Sequence, residues 1–157
     1  MSITFKLVNQ DGNYAAGEVD VALDGIGRMV SLDGSDKLIE DVQKILFTEI
    51  NQFHENYGTA INDLVGSNPG LESIKQTLAK RVTDSLVYLQ LLQADQQKYQ
   101  DVDAGELLAS INRIGVTYLG EVTGDERDVF TFEVNIEITN GLGDTLSATK
   151  NFLLGGK

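Results

Sequence analysis

The plainest pattern in the chain is the alternation of Phe130, Phe132, Val134, Ile136 and Ile138 with Thr131, Glu133, Asn135, Glu137 and Thr139. Successive side chains of a strand point to opposite faces, so this segment predicts a strand with one buried face and one wet face. From Leu107 onward the same period of two prevails. Ile111 to Val122 reads as a preceding strand joined through GDERD, and NGLGD leads into a last strand with Leu146, Ala148, Phe152 and Leu154 near its inner face. Three such runs with short polar connections predict an antiparallel meander.

Upstream the period is helical. Leu38, Ile39, Val42, Ile45 and Leu46 form one stripe, with Ser35 or Asp36 placed to cap it. Leu71, Ile74, Leu78, Val82, Leu86, Leu89 and Gln93 recur at spacings of three and four, and Glu72, Lys75, Lys80, Arg81 and Asp84 supply a polar back. Asn68 and Pro69 are the expected start of this long helix, because proline at the first helical position gives up no needed N–H. Its end is expected between Leu92 and Gln100, and the polar stretch from Ala94 to Glu106 is expected to leave the core, although its first part could extend the helix. Between the helices, Glu49 to Tyr57 loses the period and ends at Gly58, while Ala60 to Val65 suits a short helical turn closed by Gly66. In the first third, Ile3, Phe5 and Leu7, then Val19, Val21 and Leu23, alternate around NQDGNY, as in a hairpin or two short strands. The predicted fold is α+β, helices first and a three-stranded sheet last. One domain over 1–157 is expected, with 1–34 as an N-terminal hairpin extension and 35–157 as the core.

Composition narrows the functions open to this fold. A chain of 157 residues with 41% apolar content can bury one modest core. Its 24 acidic and 12 basic residues give a formal charge of −12, which repels nucleic acid and anionic membranes and favours a basic or protein partner. No apolar run is long enough to span a membrane, and MSITFKLVNQDG lacks the features of a signal peptide, so a cytoplasmic protein is expected. Without cysteine there is no disulfide, thiolate nucleophile or Cys-based zinc site.

The residue types offer little catalytic chemistry. His54 is the single histidine and no Gly-x-Ser-x-Gly turn accompanies it, so a nucleophilic triad is not expected. Glu49 with Glu55 or Asp63 could stand as a glycosidase pair, but among 24 acids such pairs arise by chance, and there is no tryptophan to hold a sugar. Asp101 and Asp103 before Gly105-Glu106, and Asn9, Asp11 and Asn13 around Gly12, are incomplete as calcium loops and read as turn chemistry. No phosphate-binding glycine motif is present. No enzyme, cofactor or metal is therefore expected. Two interaction candidates remain. Phe53, Tyr57, Leu64 and Val65 around Gly58 form either an apolar patch or core beneath the connector. The last strand, with Thr145, Ser147, Thr149 and Asn151, is an expected sheet edge with little proline or charge to prevent another strand from joining it.

The order of these features carries a resemblance. Asp36-Lys-Leu-Ile-x-x-Val-x-Lys-Ile-Leu-x-Thr is followed by a short connector to Asn56-Tyr57-Gly58-Thr59 and Leu64-Val65-Gly66, then a long helix and alternating strands. Over roughly residues 36 to 154 this resembles the sheath-initiator family of baseplate wedge proteins in contractile phage tails, often labelled lysozyme-like, with relatives in type VI secretion baseplates. The resemblance implies a non-catalytic part of the virion tail baseplate, assembled in the host cytoplasm and present in several copies around the tail axis. It also implies docking on baseplate wedge proteins, strand contacts to the tail sheath protein, and a place beside the tail tube or hub. Another tail-completion or tube-associated protein is the alternative within the same class, and a carboxylate-type peptidoglycan glycosidase the alternative from a different one. Many members carry Glu-Pro-Arg after the long helix; here the only proline is Pro69, and the stretch from Ala94 to Glu106 stands near that place.

Overall fold

The computed structural model describes residues 34–52, 55–60, 64, 70–123 and 128–155, together with four two-residue strand segments nearer the N-terminus. Those segments are β1 (Thr4–Phe5), β2 (Leu7–Val8), β3 (Asp20–Val21) and β4 (Ser31–Leu32). β2 pairs antiparallel with β3, as a hairpin requires, and β1 pairs with β4, a strand the sequence pattern does not announce. Helix α1 (Gly34–Phe47) and helix α2 (Leu71–Gln96) follow, then a 3-10 turn at Ala104–Glu106 and the strands β5 (Leu108–Thr123), β6 (Asp128–Asn140) and β7 (Thr145–Gly155). The fold is α+β, with the three long strands forming an antiparallel sheet in the order β5-β6-β7.

One face of the sheet is apolar and the helices cover it, α2 along β5 and α1 against β7. Leu38, Val42, Ile45 and Leu46 of α1 meet Leu78, Val82 and Leu86 of α2 and Phe132, Val134, Ile136 and Ile138 of β6 in one buried cluster. Removing that apolar surface from water is the main stabilising term, about 25 cal/mol per Å². Tyr118 of β5 adds a tilted ring contact with Phe132, 5.4 Å between centroids.

Three expectations need correction. α2 begins at Leu71 and not at Pro69: its N-cap is Gly70, at φ +89°, a conformation that the helix cannot pass through and that suits glycine. Leu71, expected in the buried stripe, is 42% exposed in the first turn of the helix. The third concerns the stretch from Ala94 to Glu106, which leaves the core and then returns. Gly105 and Glu106 are buried, Asp103 caps the 3-10 turn by accepting from the Gly105 N–H at 2.7 Å, and Lys37 stands 3.8 Å from the Glu106 carboxylate and 2.6 Å from that of Asp41. At the other side of this turn the Gly141 N–H donates to Ala104 O at 2.9 Å, and a Cβ on Gly141 would lie 2.6 Å from that oxygen. The β6–β7 turn thus rests on the 3-10 turn, a close approach that only glycine allows. The GDERD turn, the helical turn closed by Gly66 and the pair Asn68-Pro69 lie outside the described residues apart from Ala60, Leu64 and Asp128.

Candidate functional site

The two interaction candidates differ in kind. At the connector, the Thr59 N–H donates to Thr48 O at 2.8 Å, so the returning chain pairs with the segment leaving α1. Gly58 makes this possible: its φ is +112°, and a Cβ there would lie 2.6 Å from Thr48 O and 2.7 Å from the Glu49 carbonyl. Ser85, buried in the middle of α2, has its hydroxyl 3.0 Å from Gly58 O, 2.9 Å from Arg81 O and 3.0 Å from Thr59 Oγ1. Thr59 Oγ1 in turn reaches Ile45 O at 3.2 Å. Arg81 Nη1 donates to Ala60 O at 2.6 Å and the Tyr88 hydroxyl to Glu55 O at 2.9 Å. The connector therefore ties the end of α1 to α2 through polar bonds, of which those joining Thr59 to Ile45 and Ser85 to Gly58 and Thr59 are buried.

This arrangement settles where the predicted patch residues stand. Gly58 and Leu64 are buried, and Tyr57 is half-buried against the core. Burial, with the negative charge of Asp41 adding to it, pushes the Tyr57 phenol above its ordinary value. Gly58 and Leu64 are buried beneath the connector, through main-chain pairing at Gly58 and apolar packing at Leu64. Phe53, His54, Val65 and Asp63 lie outside the described residues. A small cleft lined by Asn56, Arg81, Asp84 and Tyr88 opens beside the connector.

The last strand has the opposite character. β6 and β7 run in unbroken register from Val129↔Gly155 to Thr139↔Thr145. Across the turn the Asn140 N–H donates to Asp144 O at 3.0 Å. Antiparallel pairs alternate between hydrogen-bonded and non-hydrogen-bonded, so Leu146, Ala148, Lys150 and Phe152 exchange main-chain bonds with β6. Thr145, Ser147, Thr149, Asn151 and Leu153 must then turn their N–H and C=O groups away from β6, toward the side where no strand pairs among the described residues. These five also send their side chains to the outer face, where all are exposed. The Thr149 hydroxyl donates to Asn135 Oδ1 at 2.8 Å, and a shallow depression around Gly115 lies beside Ser147 and Thr149.

The sheet's other edge is blunted. β5 carries register shifts near Leu108, Ile111 and Tyr118, and Gln90 of α2 donates to Leu108 O and Ala109 O at 3.1 and 3.2 Å. Bulges bend a strand away from further pairing, whereas β7 has no bulge, no proline and one charged side chain, Lys150. Lys150 is the site residue that the hydrophobic pattern passes over. It occupies the inner face between Ala148 and Phe152, with Nζ 3.5 Å from the centroid of the Phe47 ring and 5.5 Å from that of Phe152. The signal for it is its even position in a strand whose even positions face inward.

Among the described residues no group of three His, Asp or Glu side chains is placed to hold a metal, and no helix is long and apolar enough to cross a membrane. The chain matches no protein-family model, and no curated protein or solved structure matches it significantly.

Proposed function

We propose that this protein is a structural component of a contractile phage tail baseplate, docking on wedge proteins and starting sheath assembly by offering the edge of β7 to a strand of the tail sheath protein. The observation that carries the reading is the asymmetry of the two sheet edges: β5 is bulged and bonded to α2, while β7 is regular and its outward main-chain groups are unpaired among the described residues. An added strand gains main-chain hydrogen bonds, each worth about 1 kcal/mol net. The order of helix, aromatic-Gly connector, long helix and meander supports the choice of family, and a charge of −12 suits a basic protein surface.

Cosedimentation of the purified chain with the sheath protein of its own tail, followed by electron microscopy of the pellet, tests the proposal. Bound chain at one end of ordered sheath is the expected result. Sheath that sediments without the chain would overturn the initiator role and favour a tail-completion or tube-associated component.

A further inference from the structure

Lys150 lies on the inner face of β7, at the open side of the sheet, and its surroundings are unusual for an ammonium in so acidic a chain. The rings of Phe47 and Phe152 flank it, and no carboxylate among the described residues comes within 4 Å of Nζ. Several charged groups of the elements around it are engaged elsewhere or face away. On α1, Lys37 pairs with Asp41 and with Glu106 of the 3-10 turn, while Glu40 is buried and Lys44 lies one turn before Phe47. On β6, Glu133 and Glu137 turn to the outer face of the sheet, opposite to Lys150. Half-buried among rings, the amine is lowered to about 8 by desolvation. The aromatic faces attract the cation, yet they replace neither the water nor a counter-ion that it has given up.

The register decides what would complete this site. Lys150 is hydrogen-bonded to β6, so toward a strand added antiparallel on the open side it stands at a non-hydrogen-bonded position, where facing side chains approach most closely. We infer that the strand received by β7 carries an aspartate or glutamate directly opposite Lys150, and that this pair fixes the register of the added strand. The inference rests on the strand-addition reading proposed above. Without such a pair, a two-residue slip of the partner along β7 would keep every main-chain bond, since the outward residues from Thr145 to Leu153 present the same groups at each repeat. One buried charge pair breaks that equivalence. The remaining inner-face neighbours, Leu146, Ala148, Phe152 and Leu154, are apolar, so an acid brought opposite any of them is desolvated without a counter-charge.

Full-length Lys150→Arg, Lys150→Gln and Lys150→Glu variants, with Thr149→Pro as the edge control, are to be titrated with the sheath protein of the same tail. Expected affinities are near wild type for Arg, about 5-fold weaker for Gln and at least about 30-fold weaker for Glu, since reversal puts like charges face to face. The Lys150 amine, followed by NMR in wild-type protein, is expected to titrate about one pH unit higher in the complex than in the free chain. That shift separates a charge pair from a packing role and needs no variant to fold. If Thr149→Pro abolishes binding while all three Lys150 variants bind as wild type and the amine does not shift upward, strand addition stands and the acidic pairing falls. If Thr149→Pro binds as wild type, both fall.

Discussion

Replacing Gly58 tests whether the connector geometry is what holds α1 and α2 together. At φ +112° an L-residue is strained, at a cost of about 1–3 kcal/mol. A Cβ would also sit 2.6 Å from Thr48 O and 2.7 Å from both C and O of Glu49. These are main-chain atoms held by the Thr59-to-Thr48 bond, so relief requires the pairing to open, and overpacking of this kind adds about 1–3 kcal/mol. Gly58→Ala should therefore destabilise by about 3 kcal/mol, lowering Tm by roughly 6–12 °C in a domain of this size. Gly143→Ala is the matched control: its φ is +90°, but nothing lies within 4 Å of its Cβ, leaving strain alone. Thermal melts followed by far-UV circular dichroism should show Gly58→Ala losing clearly more than Gly143→Ala. Equal losses, or a Gly58→Ala melt within about 2 °C of wild type, would refute the close approach.

Other consequences can be checked on the same chain. Ser85→Ala removes the hydroxyl that joins Gly58 O and Thr59 Oγ1 and should cost about 1–3 kcal/mol in denaturant unfolding; a neutral result would mean that the buried polar cluster contributes nothing. Lys37→Met leaves Asp41 and Glu106 without their cation and should destabilise by about 3 kcal/mol at pH 7 in denaturant unfolding. For Lys150 the folded amine titrates near 8 and the unfolded one near 10.5, so between these values the unfolded chain holds more protons and stability rises with pH. Lys150→Met should accordingly melt higher than wild type at pH 7, with the gap closing as pH climbs from 8 to 10.5; a constant gap would contradict the desolvation of the amine.

Where one side of an element faces water and the other faces core, the sequence pattern is legible. β6 and α1 are of this kind, and the inner face of β7 is read correctly at Leu146, Ala148, Phe152 and Leu154. The pattern is silent where polar groups are buried. Ser85, Thr59, Lys37 and Glu106 are each satisfied by a partner distant in sequence, and nothing local distinguishes them from solvated residues. Gln93 falls in the helical stripe because its amide is spent on Glu106 O and the Leu108 N–H. Lys150 breaks the apolar alternation and so looks like an exposed residue, although its ammonium lies over the rings of Phe47 and Phe152. Of the expected partner contacts, those on β7 lie on the end strand of the sheet among the described residues, because that position follows from being last in a meander. Gly58 and Leu64 are interior, since an apolar cluster in a connector carries no sign of which way it faces.

Amide hydrogen exchange across β7, measured by NMR on the chain alone and with the tail sheath protein proposed as its partner, probes the central claim residue by residue. In the free chain the amides of Leu146, Ala148, Lys150 and Phe152 should be protected by β6, and those of Ser147, Thr149, Asn151 and Leu153 should exchange quickly. Strand addition predicts that the second set becomes protected in the complex while the first changes little. Binding that leaves Ser147, Thr149 and Asn151 in fast exchange would contradict it.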